Sequence, residues 1–243
     1  MELDGKAALV TGAGSVGGMG FHIARVLRER GASVVISGRD PDRGARAARA
    51  LGGGTRFVAA DLADLADVRR LASDAGEPDI LVNNAGVMLA RPPIDQDAYS
   101  YGQALNVNLC APYFLTTSLA PSMLAKGSGS IINISSIAAR SGLPGMSVYG
   151  ASMAGLEALT RIWAAEFAGR GVRVNTVMPG PTRTEGLIRL FGEQAVEQMA
   201  GLTTLKRTAH AAEIAEVVAF LAGPRSTYMT GALIPADGGA MAG

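Results

Sequence analysis

The residues with the clearest chemical reach are five glycines crowded into ten positions, "TGAGSVGGMG" at 11–20. A stretch so poor in side chains lets backbone N–H groups approach a bulky anion, and a helix starting there adds its positive end. Gly12, Gly14 and Gly17 fit the G-x-G-x-x-G pattern of dinucleotide-binding turns, and Thr11-Gly12 followed by Gly18-x-Gly20 fits a second register. The second is the better reading, because "FHIARVLRERG" then begins a helix directly after Gly20. In that register Gly12, Ser15, Gly18, Met19 and Gly20 face the nucleotide. Further on, "SVVISGRDPDR" carries the choice of nucleotide. An acid at the end of that strand would bond a ribose 2′-OH, whereas arginine suits a 2′-phosphate. Gly38 stands where the acid would, Arg39 follows, and Asp40 opens the next turn. Arg39 is therefore the expected phosphate partner, and NADP(H) is expected ahead of NAD(H). The competing reading makes Arg39 a solvated side chain and Asp40 a helix N-cap.

The elements that must position these groups are legible from hydrophobic patterning. Segments 6–12, 32–38, 55–61, 79–86, 129–136, 172–180 and 231–239 are short, β-rich and apolar on both faces, as buried parallel strands are. Helical candidates lie between them, near 19–30, 41–51, 64–75, 96–126, 149–169 and 211–223. Strict β-α alternation predicts an α/β, Rossmann-type, doubly wound parallel sheet of about seven strands with helices on both faces. No repeat, linker or charge block suggests a boundary, so residues 1–243 are expected to form a single dinucleotide-binding domain. A loop at 137–148 and a long excursion at 181–209 follow the fifth and sixth strands, where both could cover a ligand beyond the carboxyl edge.

Composition excludes several classes. Twenty-two basic residues against 21 acidic ones give a net charge of +1, so no field favours nucleic acid or an anionic membrane surface. Cys110 is the single cysteine, which rules out an intrachain disulfide and suits a reducing compartment. The start, "MELDGKAALVTGAG", has no signal-peptide pattern, and no run nears the ~18 apolar residues of a membrane span. A cytoplasmic protein is the expectation. His22 and His210 stand apart in sequence with no metal-ligand spacing, so no metal site is expected.

With the glycine turn, "NNAG" at 83–86, Tyr149, and "PGPTRT" at 179–184 in that order, the chain resembles the short-chain dehydrogenase/reductase family from end to end. The resemblance implies that Asn83 to Gly86 stabilise the sheet and that Asn84, Ala85 and Gly86 flank the cofactor. It implies that Asp61, followed by Leu62, contacts adenine, that Pro179, Gly180, Thr182 and Thr184 embrace the nicotinamide, and that Tyr149 also touches the cofactor. A turn or cap role is open to each of these residues as well. Four polar groups carry the family's chemistry. Asn falls on Asn108, with Asn106 a near rival; Ser falls on Ser136, with Ser135 the rival; the acid/base falls on Tyr149. The fourth, a lysine, falls on Met153.

The consequence follows from physical chemistry. The lysine cation lowers the phenol pKa from about 10 toward neutrality and bonds the nicotinamide ribose, whereas a thioether offers neither charge nor N–H. Losing a depression of about one to three pH units costs about 1.4–4 kcal/mol, or about ten- to a thousandfold in rate. A neutral phenol can still donate a proton, so reduction is impaired; oxidation needs tyrosinate and suffers more. Met153 also has a plain reading as an adaptable core side chain. No lysine is near it in sequence, and Arg140 and Arg183 are the loop cations with any prospect of replacing one.

The expected function is an NADP(H)-dependent oxidoreductase that reduces a ketone or oxidises a secondary alcohol, with impaired or altered catalysis. The alternatives are a non-redox dehydratase, cyclase or isomerase on the same scaffold, and a catalytically silent nucleotide-binding homologue. Leu187, Ile188, Leu190, Phe191, Met199 and Leu202, with Leu143 and Met146, suggest a small-molecule, mostly apolar carbonyl or alcohol substrate. The resemblance implies a homodimer or homotetramer pairing through the helices near 96–126 and 149–169, with Cys110 buried there.

Overall fold

The computed structural model describes residues 1–242. Seven strands form one parallel sheet: β1 (Ala7–Val10), β2 (Ser33–Gly38), β3 (Arg56–Ala59), β4 (Ile80–Asn83), β5 (Gly129–Ile134), β6 (Val172–Pro179) and β9 (Leu233–Ala236). Their order across the sheet is β3-β2-β1-β4-β5-β6-β9, every neighbouring pair being parallel. The expected Rossmann-type sheet is thus present, with its order reversing between β1 and β4. That reversal opens a crevice at the carboxyl edge.

Successive residues of each strand feed opposite apolar layers, which is why both faces read as hydrophobic. Ala8, Val10, Ile80, Val82 and Ile132 pack with α1 (Met19–Glu29), α2 (Pro41–Leu51) and α9 (Ala211–Ala222). Leu9, Leu81, Ile131, Val172 and Val174 pack instead with α3 (Leu65–Ala75), α5 (Ala111–Lys126) and α6 (Ser147–Phe167). Each fully buried Leu or Ile contributes about 1.5–3 kcal/mol, so the two layers hold the strand ends rigid. Aspartates start three helices: Asp40 accepts from the Arg43 N–H, Asp64 from Ala66 and Asp97 from Ser100.

The single helix expected over 96–126 is broken. α4 (Ala98–Leu105) runs into a π-helical turn, Asn106–Cys110, before α5 begins. Pro112, in the first turn of α5, has no N–H for the carbonyl four residues back, and its ring would crowd that carbonyl; a wider turn relieves both problems. Cys110 lies on the outer side of this turn and is exposed on the single chain. The excursion is also more ordered than its weak periodicity suggested. β7 (Thr182–Arg183) pairs with β8 (Ala209–His210), enclosing α7 (Glu185–Phe191) and α8 (Glu193–Gln198).

Candidate active site

Steric fit fixes the glycine turn. Gly12 has φ +68°, and a Cβ there would lie 2.7 Å from the Ala85 Cα. One on Gly20 would fall 2.5 Å from Asn84 Nδ2 and 2.6 Å from the Gly12 carbonyl oxygen. The Thr11-Gly12…Gly18-x-Gly20 register therefore describes the tight contacts. α1 starts where the helical candidate near 19–30 placed it, with Gly18 as N-cap, Met19 as its first residue and Gly20 already inside it rather than before it. Asn84 ties the turn to β4 through Nδ2, which donates to the Thr11 carbonyl at 2.8 Å. The Thr11 hydroxyl accepts from the Asn84 and Ala85 N–H groups, both at 3.0 Å. At Gly86 a Cβ would meet only Asn108 Oδ1, at 3.6 Å.

At the other end of the crevice, side-chain hydrogen bonds separate the rival residues. Asn106 bonds the Ala63 carbonyl at 3.3 Å. Asn108 instead grips Val87 from both sides, accepting its N–H at 2.7 Å and donating to its carbonyl at 2.9 Å. Asn108 also donates to Ser152 Oγ at 3.0 Å, and Ser152 passes on to the Tyr149 carbonyl at 2.7 Å. Ser135 is committed to Glu157 at 2.7 Å, whereas Ser136 accepts only the Ala138 N–H, at 3.2 Å, and is the serine that bears on the Tyr149 hydroxyl. Beneath them, Asn83 donates to Asn133 and Asn133 to Thr160, both at 2.8 Å, and Thr160 meets Thr176 at the same distance. This buried polar chain fastens β4, β5, α6 and β6 together.

Tyr149 is partly open to the crevice, but its hydroxyl lies deep among protein atoms. Burial pushes its pKa up, with the Ser136 hydrogen bond opposing that in part. One turn along α6, Met153 is 2% exposed. Neither loop arginine replaces a cation there. Arg140 is paired with Glu157 at 3.0 Å, and Arg183 is paired with Glu193. Lys6 and Lys126 are held by Asp79 and Glu77 at the start of β4.

The remaining expected site residues have definite places. Arg39 is exposed, beside Asp40, which N-caps α2. Asp61 is exposed and accepts from the Ala63 N–H at 3.1 Å, while the Leu62 side chain is buried in the α3-side layer. Pro179 ends β6, and a Cβ on Gly180 would lie 2.7 Å from the Asp237 Cα. The Thr182 hydroxyl donates to the Gly180 carbonyl at 3.0 Å, and Thr184 caps α7. His22 and His210, remote in sequence, line one cavity of about 570 Å³ together with Arg183 and Ile188.

The arrangement fits a dinucleotide. Gly18 opens a helix at the carboxyl edge of β1, and open backbone at Gly86 faces the same crevice. The enoyl-(acyl carrier protein) reductase family profile matches residues 12–241. A solved short chain dehydrogenase/reductase family protein is 49% identical, with a TM-score of 0.95 and all of both chains covered. The chain is a short-chain dehydrogenase/reductase. It is similar to 3-oxoacyl-(acyl-carrier-protein) reductase FabG of Thermotoga maritima, 34% identical over 98% of this chain and 99% of that one. It is also similar to a blue fluorescent protein from a metagenomic library, solved in complex with NADPH, at 34% identity, TM-score 0.89 and 99% coverage of each chain. This short-chain dehydrogenase/reductase is therefore an oxidoreductase by family.

Sequence reasoning missed Ser152, Glu157 and Glu185. Glu157 had a signal: it is a carboxylate eight residues after Tyr149, on the buried face of α6, and only 3% exposed. Ser152 and Glu185 had none, since their partners Asn108 and Ser15 lie far away in sequence.

Proposed function

We propose that this short-chain dehydrogenase/reductase uses NADP(H) to reduce a medium-sized, mostly apolar ketone, with Tyr149 working as a neutral acid rather than as a tyrosinate. The observation that carries the reading is a buried Tyr149 hydroxyl beside Ser136, its pKa raised by burial, with Met153 buried one turn away. The bound nicotinamide would supply hydride to a carbonyl carbon. The Ser136 and Tyr149 hydroxyls would hold the carbonyl oxygen, and Tyr149 would give it a proton as negative charge develops. Asn108, through Ser152, keeps the first turn of α6 in place.

Gly12, Ser15, Gly18, Met19, Gly20, Asn84, Ala85 and Gly86 would receive the dinucleotide, with Asp61 and Leu62 beside adenine and Pro179, Gly180, Thr182 and Thr184 beside nicotinamide. Exposure of Arg39 without an acid before it supports NADP(H). Residues 1–243 would act as one domain, with 181–209 as the cover. Leu187 and Ile188 are half-buried and Leu190 and Leu202 exposed, which leaves apolar surface for a substrate. Exposed Tyr99, Tyr101, Tyr113 and Ile162 on α4, α5 and α6 support association with a second copy. No helix is long and apolar enough to cross a membrane among the described residues, and the exposed thiol of Cys110 suits a reducing cytoplasm.

A second reading draws on the same observation. A tyrosine held neutral beside a serine, with no cation, also suits proton transfer without net redox chemistry, as in a dehydratase or isomerase. Measuring NADPH consumption over a ketone panel, for this chain and Met153→Lys, tests both. Ketone-dependent consumption that grows in Met153→Lys is expected. Substrate turnover with NADPH unconsumed favours the non-redox reading, and binding without turnover in both proteins marks a silent homologue.

A further inference from the structure

Thr184 caps α7, and the residue after it is held in a way the proposed chemistry does not require. The Glu185 carboxylate accepts from the Ser15 hydroxyl and from the Arg43 guanidinium, the latter at 3.1 and 3.2 Å, and Arg189 one turn on joins it. The Glu185 N–H donates to the Gly17 carbonyl at 3.0 Å. A Cβ on Gly17 would lie 3.1 Å from the Glu185 Cβ, so the helix start sits directly on the glycine turn. A carboxylate with three side-chain donors thus occupies the end of the crevice where backbone N–H groups and the start of α1 favour an anion.

The rest of α7 is held loosely. It buries no residue, and the cavity lined by His22, Ile188 and His210 leaves space behind it. The far end of the excursion is anchored. Thr203 is 2% exposed, the Thr204 hydroxyl donates to the Gly239 carbonyl at 2.8 Å, and the Leu205 N–H donates to Gly238 at 3.0 Å.

We propose that Glu185 is a latch: its carboxylate occupies the seat of a cofactor phosphate on Ser15 and Arg43, and a phosphate that takes those donors releases α7 from the glycine turn. The inference rests on the nucleotide reading above. Nucleotide binding then loosens the cover over the substrate pocket, so the nucleotide enters first. The phosphate is either the 2′-phosphate, found only in NADP(H), or the pyrophosphate shared with NAD(H).

The test compares the full chain with Glu185→Gln, a change at an exposed side chain. NADPH and NADH are titrated by nucleotide fluorescence, and trypsin cleavage after Arg189 is timed with and without each nucleotide. Removing the competing carboxylate is expected to lower the NADPH Kd about two- to fivefold, the scale of an exposed ion pair. Nucleotide should speed cleavage of the wild-type chain, and Glu185→Gln should be cut fast without it. A gain for NADPH alone assigns the 2′-phosphate; a gain for both nucleotides assigns the pyrophosphate. Unchanged or weaker binding by Glu185→Gln, or protection of Arg189 by nucleotide, overturns the latch while leaving the nucleotide reading standing. If neither protein binds either nucleotide, both readings fall.

Discussion

The glycine turn and the Tyr149 end of the crevice share the carboxyl edge of one sheet, yet different forces hold them. At the turn, backbone meets backbone: Gly12 and Gly20 leave no room for a methyl group against Ala85, Asn84 and each other. At Tyr149, shape is kept by hydrogen bonds through Asn108 and Ser152, while Met153 one turn on brings no charge to set the tyrosine's proton affinity. A steric site resists small changes and fails abruptly. An electrostatic site keeps its shape when a charge is exchanged for a thioether, and only its chemistry moves. That contrast explains how Met153 is accommodated in an intact fold.

The largest effect is expected from removing the proposed acid. Tyr149→Phe leaves the glycine turn untouched, so NADPH should still bind while ketone reduction falls about 10²- to 10⁴-fold, the usual share of a positioned proton donor. A reduction rate that survived would break the contrast, because the hydroxyl would then not be the acid.

Placing a cation at Met153 comes next. Met153→Lys should raise reduction about ten- to a thousandfold, with a greater gain in alcohol oxidation. The pH profile carries the sign. Burial raises the Tyr149 pKa above the ordinary value of about 10, so below that pH the phenol is protonated. Wild-type reduction should therefore be flat across neutrality, and oxidation should climb only as pH rises past the ordinary tyrosine range. In Met153→Lys that climb should move toward neutrality. An oxidation profile that does not shift would mean that the new ammonium does not reach Tyr149.

The same contrast governs what could be read beforehand. All seven strands of the large sheet were legible because burial on both faces leaves continuous apolar runs, and the glycine turn because close approach admits only glycine. The break at Asn106–Cys110 was missed because apolar periodicity continues through it, although Pro112, well inside the expected helix 96–126, was a visible signal of a break. That Ser135 rather than Ser136 is taken up by Glu157 depends on a contact between elements 22 residues apart in sequence. Long-range hydrogen bonds of this kind leave no local pattern. Arg140 and Arg183 were candidates for the same reason, and their partners Glu157 and Glu193 became visible only in three dimensions.

The steric half has its own test. Gly20→Ala puts a methyl group within 2.6 Å of backbone, and the shift it forces should cost about 1–3 kcal/mol. That corresponds to a melting temperature several degrees lower at this chain length, with weakened NADPH binding. Gly102→Ala on α4, where a Cβ meets nothing within 4 Å, is the control and should be neutral or stabilising. Equal melting temperatures in the two variants would remove the claim that close approach holds the turn.

The smallest effect is expected outside both regions, and it sharpens the contrast by leaving each of them alone. Glu213 in the first turn of α9 accepts two Arg207 N–H groups at 2.7 Å each and the His210 N–H at 2.9 Å. Together these hold its carboxyl down to about 2, with Arg207 the main cause. Because the folded value lies below the unfolded one, the stabilisation is full above about pH 4.5 and fades as pH falls toward 2. Nearly half the side chain is exposed, so solvent screening limits the contribution to about 0.5–1 kcal/mol. Glu213→Gln should therefore lower the melting temperature slightly at pH 7 and by only a small part of that at pH 2.5, as followed by calorimetry. NADPH affinity and the pH profile of reduction should match wild type at pH 7. A change in either would mean that the β7–β8 pair and the start of α9 bear on the crevice, and that the two ends are not the only parts of the molecule setting its chemistry.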